Sequence, residues 1–240
     1  MSRTVPPRKG SYGIDAPYVP LILAAGAAMY LAIAAVFRNP RAMGASVVLL
    51  PVIGMWLYAS WRGKFVVWDG LLDGVGLRPD ARVLDLGCGR GAVLLLAAAR
   101  LTTGRAVGVD VWRRQDQSGN SAEAARRNAG AEGVSDRVEL VTADMRALPF
   151  EDGSFDLVVS SLAIHNIPGQ HERRKALEEA VRVLRAGGRL LIIDIRGTGA
   201  YPEQLATLGM SDVSRRRLGW RLWWGGPWMP TYLVAATKPR

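Results

Sequence analysis

The first quarter of the chain contains two long stretches without a charged residue. They cover residues 18–37 and 42–61, and a short basic connection separates them. A helix of 20 residues is about 30 Å long, which matches the hydrocarbon layer of a bilayer. The pattern predicts a transmembrane hairpin over residues 18–64. The preceding residues 1–17, rich in proline, glycine and basic side chains, predict a flexible basic tail.

Two other interpretations of the apolar stretches stay open. The first stretch follows a basic start, as in a secretory signal peptide. However, its apolar region exceeds the usual ~7–15 residues and a second one follows at once. The other interpretation is a buried helical hairpin of a soluble protein, which the lack of charge across both stretches disfavours. The membrane hairpin is therefore the preferred prediction.

Basic residues around the hairpin predict its orientation. Those flanking its outer ends outnumber those in the connection: Arg3, Arg8, Lys9, Arg62 and Lys64 against Arg38 and Arg41. Because such residues are retained on the cytoplasmic side, we expect both termini and the following domain to be cytoplasmic. Small residues in the two stretches also offer close helix contacts, within the hairpin or in a homo-oligomer: Ala24, Ala28, Gly44 and Gly54.

From residue 65 onward, short apolar segments alternate with helical patterns. The predicted strands are 82–86, 106–110, 138–141, 157–160 and 189–195, and the predicted helices are 92–101, 121–131 and 170–184. This alternation predicts an α/β domain over residues 65–240, with a parallel sheet covered on both faces. Two further strands, 213–218 and 231–236, flank a Gly/Pro turn and predict an antiparallel pair.

Composition narrows the chemistry. The chain has a net charge of +10, one cysteine and two histidines. A single cysteine forms no internal disulfide. No metal site is expected, because dedicated zinc sites draw four ligands mainly from Cys and His. The positive charge suits an anionic membrane face or a nucleic acid.

A glycine-rich turn follows the first predicted strand in "VLDLGCGRGAVLLL". Gly87, Gly89 and Gly91 remove Cβ atoms where a ligand approaches the strand end, and Ala92 completes a nicotinamide-type fingerprint. This motif alone does not separate one cofactor from another. Asp110 ends the second strand, where an acid can accept hydrogen bonds from both ribose hydroxyls.

Two further motifs follow in order. The segment "ADMRALPFEDGSFDLVVSSLAIHNI" surrounds the fourth strand, and "EAVRVLRAGGRLLIIDI" carries a helix, a Gly-Gly turn and the fifth strand. With these motifs, residues 77–195 resemble class I S-adenosylmethionine-dependent methyltransferases, of the group that includes quinone-biosynthesis and other small-molecule enzymes. The resemblance implies S-adenosylmethionine as cofactor and a Rossmann-like seven-stranded sheet whose last strand is antiparallel.

The resemblance also implies roles for matching residues. Five would line the methionine and ribose part of the cofactor: Asp85, Gly87, Cys88, Gly89 and Gly91. Asp110 would bind the ribose hydroxyls, with Val111 beside it. Asp144 would meet the adenine amino group with Met145 against the ring, and Ser161 would lie near the sulfonium. The simpler interpretation is that each glycine serves only a turn and each aspartate only caps a helix.

The acceptor side has one candidate base. Methyl transfer is an in-line displacement, so a base is needed only when the acceptor loses a proton. His165 is that candidate, since histidine transfers protons near neutral pH, and a structural hydrogen bond is its other interpretation. Candidate contacts to the acceptor are Asn166, Arg196, Tyr201, Trp220 and Trp224.

Two segments each have more than one interpretation. The loop 111–121 either closes over the ligands or is a surface insertion. The turn 218–230 carries four of the eight tryptophans. It either covers a hydrophobic acceptor, contacts a membrane, or packs against a neighbouring helix.

The preferred hypothesis is an integral-membrane methyltransferase acting on a quinone, isoprenoid or lipid-like acceptor. Its expected partners are the lipid bilayer and the lipophilic substrate. The alternative is an enzyme that methylates a soluble small molecule or a nucleic acid and is merely tethered to the membrane. Methyltransferases that modify the amino groups of bases usually carry an Asn/Asp-Pro-Pro-aromatic motif after the fourth strand. This chain has no such motif there, so no nucleic-acid partner is expected. A second alternative is a nicotinamide oxidoreductase, but this hypothesis does not account for the motif in residues 144–156. The last alternative is a cofactor-binding membrane scaffold without enzymatic turnover.

Overall fold

The computed structural model describes residues 8–240, in which a seven-stranded sheet is covered by helices on both faces. The strands are β1 Arg82–Leu86, β2 Arg105–Asp110, β3 Val138–Thr142, β4 Phe155–Ser161, β5 Leu184–Asp194, β6 Ser211–Arg217 and β7 Tyr232–Thr237. Their order is β3-β2-β1-β4-β5-β7-β6, with β7 antiparallel to both neighbours. The predicted α/β fold and the antiparallel final pair are confirmed.

The helices lie before and between these strands. They are α1 Tyr18–Phe37, α2 Pro40–Tyr58, α3 Lys64–Val75, α4 Ala92–Ala98, α5 Ala122–Glu132, α6 Gln170–Val183 and α7 Tyr201–Thr207. Helices α3 and α4 pack on one face of the sheet, around Trp68 and Leu94, and helix α6 packs on the other, around Leu177. The central strands are apolar along their length because both of their faces are buried.

Several local elements differ from those that the sequence pattern predicts. Helix α7 was not predicted, and β5 begins at Leu184 rather than at residue 189. Helix α5 is capped by Ser121, whose Oγ accepts a hydrogen bond from the backbone N–H of Ala124. The preceding Asn120 is buried and donates to the carbonyl oxygen of Arg113.

The two apolar stretches form an antiparallel helical hairpin. Both helices are long and apolar enough to cross a membrane. Large apolar side chains on them are exposed, such as Leu21 at 68% and Val48 at 63%. The helices meet through other small residues than the predicted ones, namely Ala27, Ala34, Ala42 and Ser46. The Ser46 hydroxyl donates to the carbonyl oxygen of Ala27.

The second apolar helix does not end at the domain. A π-helical turn, Ala59–Gly63, joins α2 directly to α3, so one continuous helix runs from Pro40 to Val75. π-helical turns occur often at functional sites. Here the turn brings Gly63 against the carbonyl oxygen of Arg221, where a Cβ atom would collide. The predicted hairpin and the methyltransferase-like domain therefore share one helix.

The described part of the predicted flexible tail is bound to the domain. Residues 8–17, which we call the N-terminal strap, run along α5 and the loop 111–121. The backbone N–H of Ser11 donates to Asn128 and the Tyr12 hydroxyl donates to Glu132. The expectation of a flexible tail is wrong for the strap, because these contacts hold it. Residues 1–7, including Arg3, lie outside the described residues.

Candidate active site

A cavity of about 650 Å³ opens at the carboxyl ends of β1, β2, β4 and β5. This is where ligands bind in parallel α/β sheets, and the volume lies within the usual range for small-molecule sites. The glycine loop (residues 87–91), the loop 111–121 and the N-terminal strap form parts of its wall.

The glycine loop needs its glycines for a physical reason. Gly87 and Gly89 both have positive φ angles, of +72° and +52°. A Cβ atom at Gly87 would collide with Ala163, and one at Gly89 would lie 2.6 Å from Oε1 of Gln117. The loop therefore takes a left-handed conformation in which its backbone is packed tightly against the surrounding segments.

Asp85 is a buried carboxylate below this loop. Its Oδ2 accepts a hydrogen bond from the backbone N–H of Leu94, whereas Oδ1 is buried without a hydrogen-bond partner among the described residues. Burial raises the pKa of Asp85 from 3.8 to about 7. A ligand carrying an ammonium or sulfonium charge fits this cavity, because it would compensate the buried carboxylate.

This burial predicts a pH-dependent stability. The folded protein keeps the Asp85 proton up to about pH 7, while the unfolded chain loses it near pH 4, so stability falls as the pH rises between these values. The effect is at most about 4 kcal/mol. Asp85→Asn removes it, and at pH 8 the ligand-free variant should unfold at higher denaturant concentration than the wild type.

Chemical denaturation of both proteins at several pH values checks this. The variant's advantage should shrink steadily from pH 8 to pH 4. An advantage that is the same at every pH would contradict the assignment to Asp85.

Asp110 fixes the shape of the cofactor side. Its Oδ2 accepts from the backbone N–H of Gly89 at 2.8 Å, and its Oδ1 accepts from the backbone N–H of Trp112 at 2.6 Å. One carboxylate thus holds the glycine loop and the start of the loop 111–121 together. Val111, beside it, lines the cavity and is exposed.

The carboxylate of Asp144, predicted to meet the adenine amino group, already forms an ion pair within the protein. It pairs with Arg146 at 2.6 Å, and Arg146 also contacts Glu172 at 2.6 Å. The hydrogen bonds from Arg146 hold the pKa of Asp144 below its usual value. Asp144 and Met145 both line the cavity. An adenine amino group would therefore share this carboxylate with Arg146.

The loop 111–121 covers the glycine loop. Gln117 is buried, and its Oε1 accepts the backbone N–H of Arg90 at 2.8 Å. Its Nε2 donates to Asp15 of the N-terminal strap at 2.9 Å, and Asp15 in turn pairs with Lys64 at 2.8 Å. Of the two interpretations of this loop, the structure favours closure. Gln117, Asp15 and Lys64 were not identified from the sequence.

The acceptor side contains a His–Asp pair. Nδ1 of His165 lies 2.5 Å from Oδ1 of Asp194, and Asp194 is fully buried. The backbone N–H of His165 also donates to Asp194. Nearby, the Ser161 hydroxyl accepts a hydrogen bond from the Trp68 indole of α3. Asp194 was not identified as a site residue from the sequence. Its position at the end of the apolar strand "LLIID", as an acidic residue, could have indicated it.

Comparison with known proteins agrees with this geometry. Residues 84–192 match the family model described as a methyltransferase domain. Residues 84–192 therefore carry a methyltransferase domain of the class I S-adenosylmethionine-dependent type. This confirms the family predicted from the glycine loop and the motifs that follow it, and it agrees with the predicted cofactor.

The relatives that match this methyltransferase domain include two C-methyltransferases. The ubiquinone/menaquinone biosynthesis C-methyltransferase UbiE of Ruegeria sp. is 30% identical over 147 residues, which are 61% of this chain and 53% of that protein. The sterol 4-C-methyltransferase strm-1 of Caenorhabditis elegans is 34% identical over 130 residues, which are 53% of this chain and 35% of that protein. The chain therefore spans about half or less of these relatives' lengths.

A solved structure shares the fold. Geranyl diphosphate C-methyltransferase from Streptomyces coelicolor, solved with Mg²⁺, geranyl diphosphate and S-adenosyl-L-homocysteine, superposes with a TM-score of 0.59 at 19% identity. The superposition covers 75% of this chain and 81% of that one. In the part of our chain that the structure describes, no cluster of three or more His, Cys, Asp or Glu side chains could hold a metal ion.

Most predicted residues of the methyltransferase site lie along the cavity. The cavity wall includes Asp85, Gly87, Cys88, Gly89, Asp110, Val111, Asp144, Met145, Ser161, His165, Asn166, Arg196 and Trp224. Gly91 lies just behind this wall, where it begins α4. Burial raises the pKa of the Cys88 thiol, which keeps it protonated and unsuited to attack.

Two predicted acceptor contacts do not agree with the structure. Tyr201 begins α7 with its side chain buried in the core beside Leu205, away from the cavity wall. Trp220 stacks on Tyr58 of α2, is 52% exposed and lies outside the same wall. Both follow strand ends in the sequence, but the direction of each side chain depends on the helix or turn that it joins.

Proposed function

We propose that this protein transfers a methyl group from S-adenosylmethionine to a lipophilic small molecule at a membrane. The main support is that a single cavity is lined by both the glycine loop and the domain-facing ends of the two apolar helices. Tyr18 and Val19 contribute from the start of α1, and Trp56 contributes from the end of α2. An acceptor whose hydrophobic part lies in the bilayer would thus be within reach of the cofactor.

The acceptor class we propose is a quinone, isoprenoid or sterol-like molecule methylated on carbon. Two relatives are named a ubiquinone/menaquinone biosynthesis C-methyltransferase and a sterol 4-C-methyltransferase. Trp56, Trp224 and Met229 give the acceptor side of the cavity an apolar wall, which suits this class. Arg196 is exposed at the cavity and is free to bind a polar or anionic end of the acceptor.

S-adenosylmethionine would be held by Asp85, Asp110 and the glycine loop, and when bound it would supply an electrophilic methyl group to the acceptor carbon. The proton displaced from the acceptor goes to His165, at the imidazole nitrogen that does not face Asp194. Asp194 orients the ring and stabilises the positive charge that His165 gains.

This mechanism predicts a kinetic effect of the His–Asp pair. His165→Gln should lower kcat by about 100-fold or more, the usual contribution of a general base. Asp194→Asn should act in the same direction, because the imidazole ring loses the carboxylate that orients it. Neither change should alter S-adenosylmethionine affinity, which calorimetry measures.

His171→Gln is the matched control, since His171 is an exposed histidine at the start of α6. Its kcat should equal that of the wild type. A His165→Gln enzyme with unchanged kcat would show that the acceptor needs no base from this residue.

Methyl incorporation tests the proposed function. The full chain in detergent is incubated with S-adenosylmethionine carrying a tritiated methyl group and with reduced demethylquinones or a total lipid extract. We expect label in the organic phase. Label only in added RNA, DNA or water-soluble metabolites would favour the alternative of a membrane-tethered enzyme with another substrate.

The proposed location is the cytoplasmic face of a membrane, with both termini on that side. Charge supports it, although the structure reduces the number of free cations: Lys64 pairs with Asp15 and Arg8 with Glu132. Two single variants, Arg41→Cys and Asp136→Cys, test this location. Each is treated in intact cells with a maleimide that does not cross the membrane. We expect labelling only at position 41.

A homo-oligomer formed by the hairpin stays a prediction.

A further inference from the structure

The turn 218–230, which we call the tryptophan turn, lies along the apolar helix α2. Trp224 packs edge-on against Trp56 with ring centres 5.2 Å apart, and Trp220 stacks on Tyr58 at 5.1 Å. Gly225 lies so close to Val52 that an added Cβ atom would be 3.1 Å from its side chain. The turn therefore follows α2 back into the apolar stretch that is predicted to cross the membrane.

The depth of this contact follows from helix geometry. Val52 precedes Tyr58 by six residues, which at ~1.5 Å per residue places it about 9 Å further along α2. Interfacial elements enter a bilayer by about 5–10 Å. If Tyr58 lies near the membrane surface, the tip of the tryptophan turn lies at interfacial depth.

The outer face of the turn has the chemistry of this layer. Trp228 is 67% exposed and Trp220 is 52% exposed, and tryptophan is enriched at membrane interfaces. Arg216 and Arg217 are exposed beside the turn, and no acidic residue follows Asp212 in the chain. This charge complements anionic lipid headgroups.

The inner face of the turn lines the active-site cavity. Trp224 and Met229 line the cavity together with Tyr18 and Val19 of α1, and Val19 and Met229 pack against the hydrophobic cluster that contains Trp224. The start of α1 and the tryptophan turn therefore both belong to the wall at the end where the apolar helices meet the domain.

We propose that the tryptophan turn inserts into the interfacial layer beside α2, and that acceptors enter the cavity directly from the bilayer, between this turn and the start of α1. This rests on the proposed function, because it requires the hairpin to be in a membrane. The partner of the outer face is an anionic lipid surface.

Spin labelling of the full chain in phosphatidylcholine/phosphatidylglycerol vesicles tests the insertion. Labels are placed at Trp228→Cys and Gly219→Cys, two exposed positions, with Asp136→Cys on a distant exposed turn as matched control. At residue 228, collisions with oxygen should exceed those with a soluble nickel chelate, because a label at interfacial depth is partly shielded from water. At residue 136 the nickel chelate should dominate. Nickel dominance at both 228 and 219 would overturn the proposal.

Two further measurements separate the possible failures. If the protein is removed from membranes by alkaline carbonate, the membrane location fails, and with it the proposed function. If the protein resists carbonate but the labels at 228 and 219 are exposed to nickel, only the insertion fails.

Trp228→Asp should slow methylation of vesicle-embedded lipids several-fold while leaving methylation in detergent micelles and cofactor affinity unchanged. An equal loss in both would instead indicate damage to the site.

Discussion

Lys64→Met is expected to lower the free energy of unfolding by about 3–5 kcal/mol, the usual cost of removing one partner from a buried ion pair. The Lys64 side chain is 5% exposed, and its Nζ donates to both carboxylate oxygens of Asp15 at 2.8 and 3.1 Å. Methionine keeps the length of the side chain, so the main loss is the positive charge. Asp15 then stays partly buried, and Gln117 is its one remaining side-chain donor among residues 8–240.

Thermal unfolding in detergent, followed by tryptophan fluorescence, measures this effect. For a chain of this size, a loss of 3–5 kcal/mol lowers Tm by roughly 6–20 °C. Arg127→Ala is the matched control, because it breaks an ion pair with Glu123 in which both side chains are exposed. Its effect should stay below about 1 kcal/mol. A Lys64→Met loss no larger than the control's would show that the pair does not hold the strap.

Asp110→Ala is expected to weaken S-adenosylmethionine binding by about 100-fold or more, which is about 2.7 kcal/mol. The carboxylate holds the backbone N–H groups of Gly89 and Trp112, so its loss frees both loops of the cofactor side. The proposed hydrogen bonds to the ribose hydroxyls are lost as well. Asp110→Asn should weaken binding less, because it retains an acceptor oxygen.

Isothermal calorimetry on the 240-residue chain checks this prediction. Asp136→Ala is the control, since it removes an exposed carboxylate from a short turn before β3. Its affinity should match that of the wild type. An Asp110→Ala affinity within about threefold of the wild type would mean that the glycine loop keeps its shape without this carboxylate.

The elements that could be predicted are those with a strong local pattern. Strand β1 was predicted at its observed bounds, because a short, mainly apolar segment ends at the glycine turn, and four of its five positions are buried. Helix α7 was missed, since it has only seven residues and little periodicity. Residues of the site, too, can be predicted only where a local sequence pattern marks them. The glycine loop and Asp110 stand at strand ends, which the sequence marks, whereas Gln117 lies in a loop without any such mark.

The sequence by itself determined the α/β alternation, the apolar hairpin and the motifs of a methyltransferase domain, because each is encoded by neighbouring residues or regular spacing. The tertiary structure decided how these parts meet. Asp15 reaches Lys64 and Gln117 across 49 and 102 residues, and His165 meets Asp194 across 29. Such contacts depend on how the hairpin, loops and strands pack, which no local pattern specifies. Packing therefore brings the apolar helices into the wall of the active-site cavity.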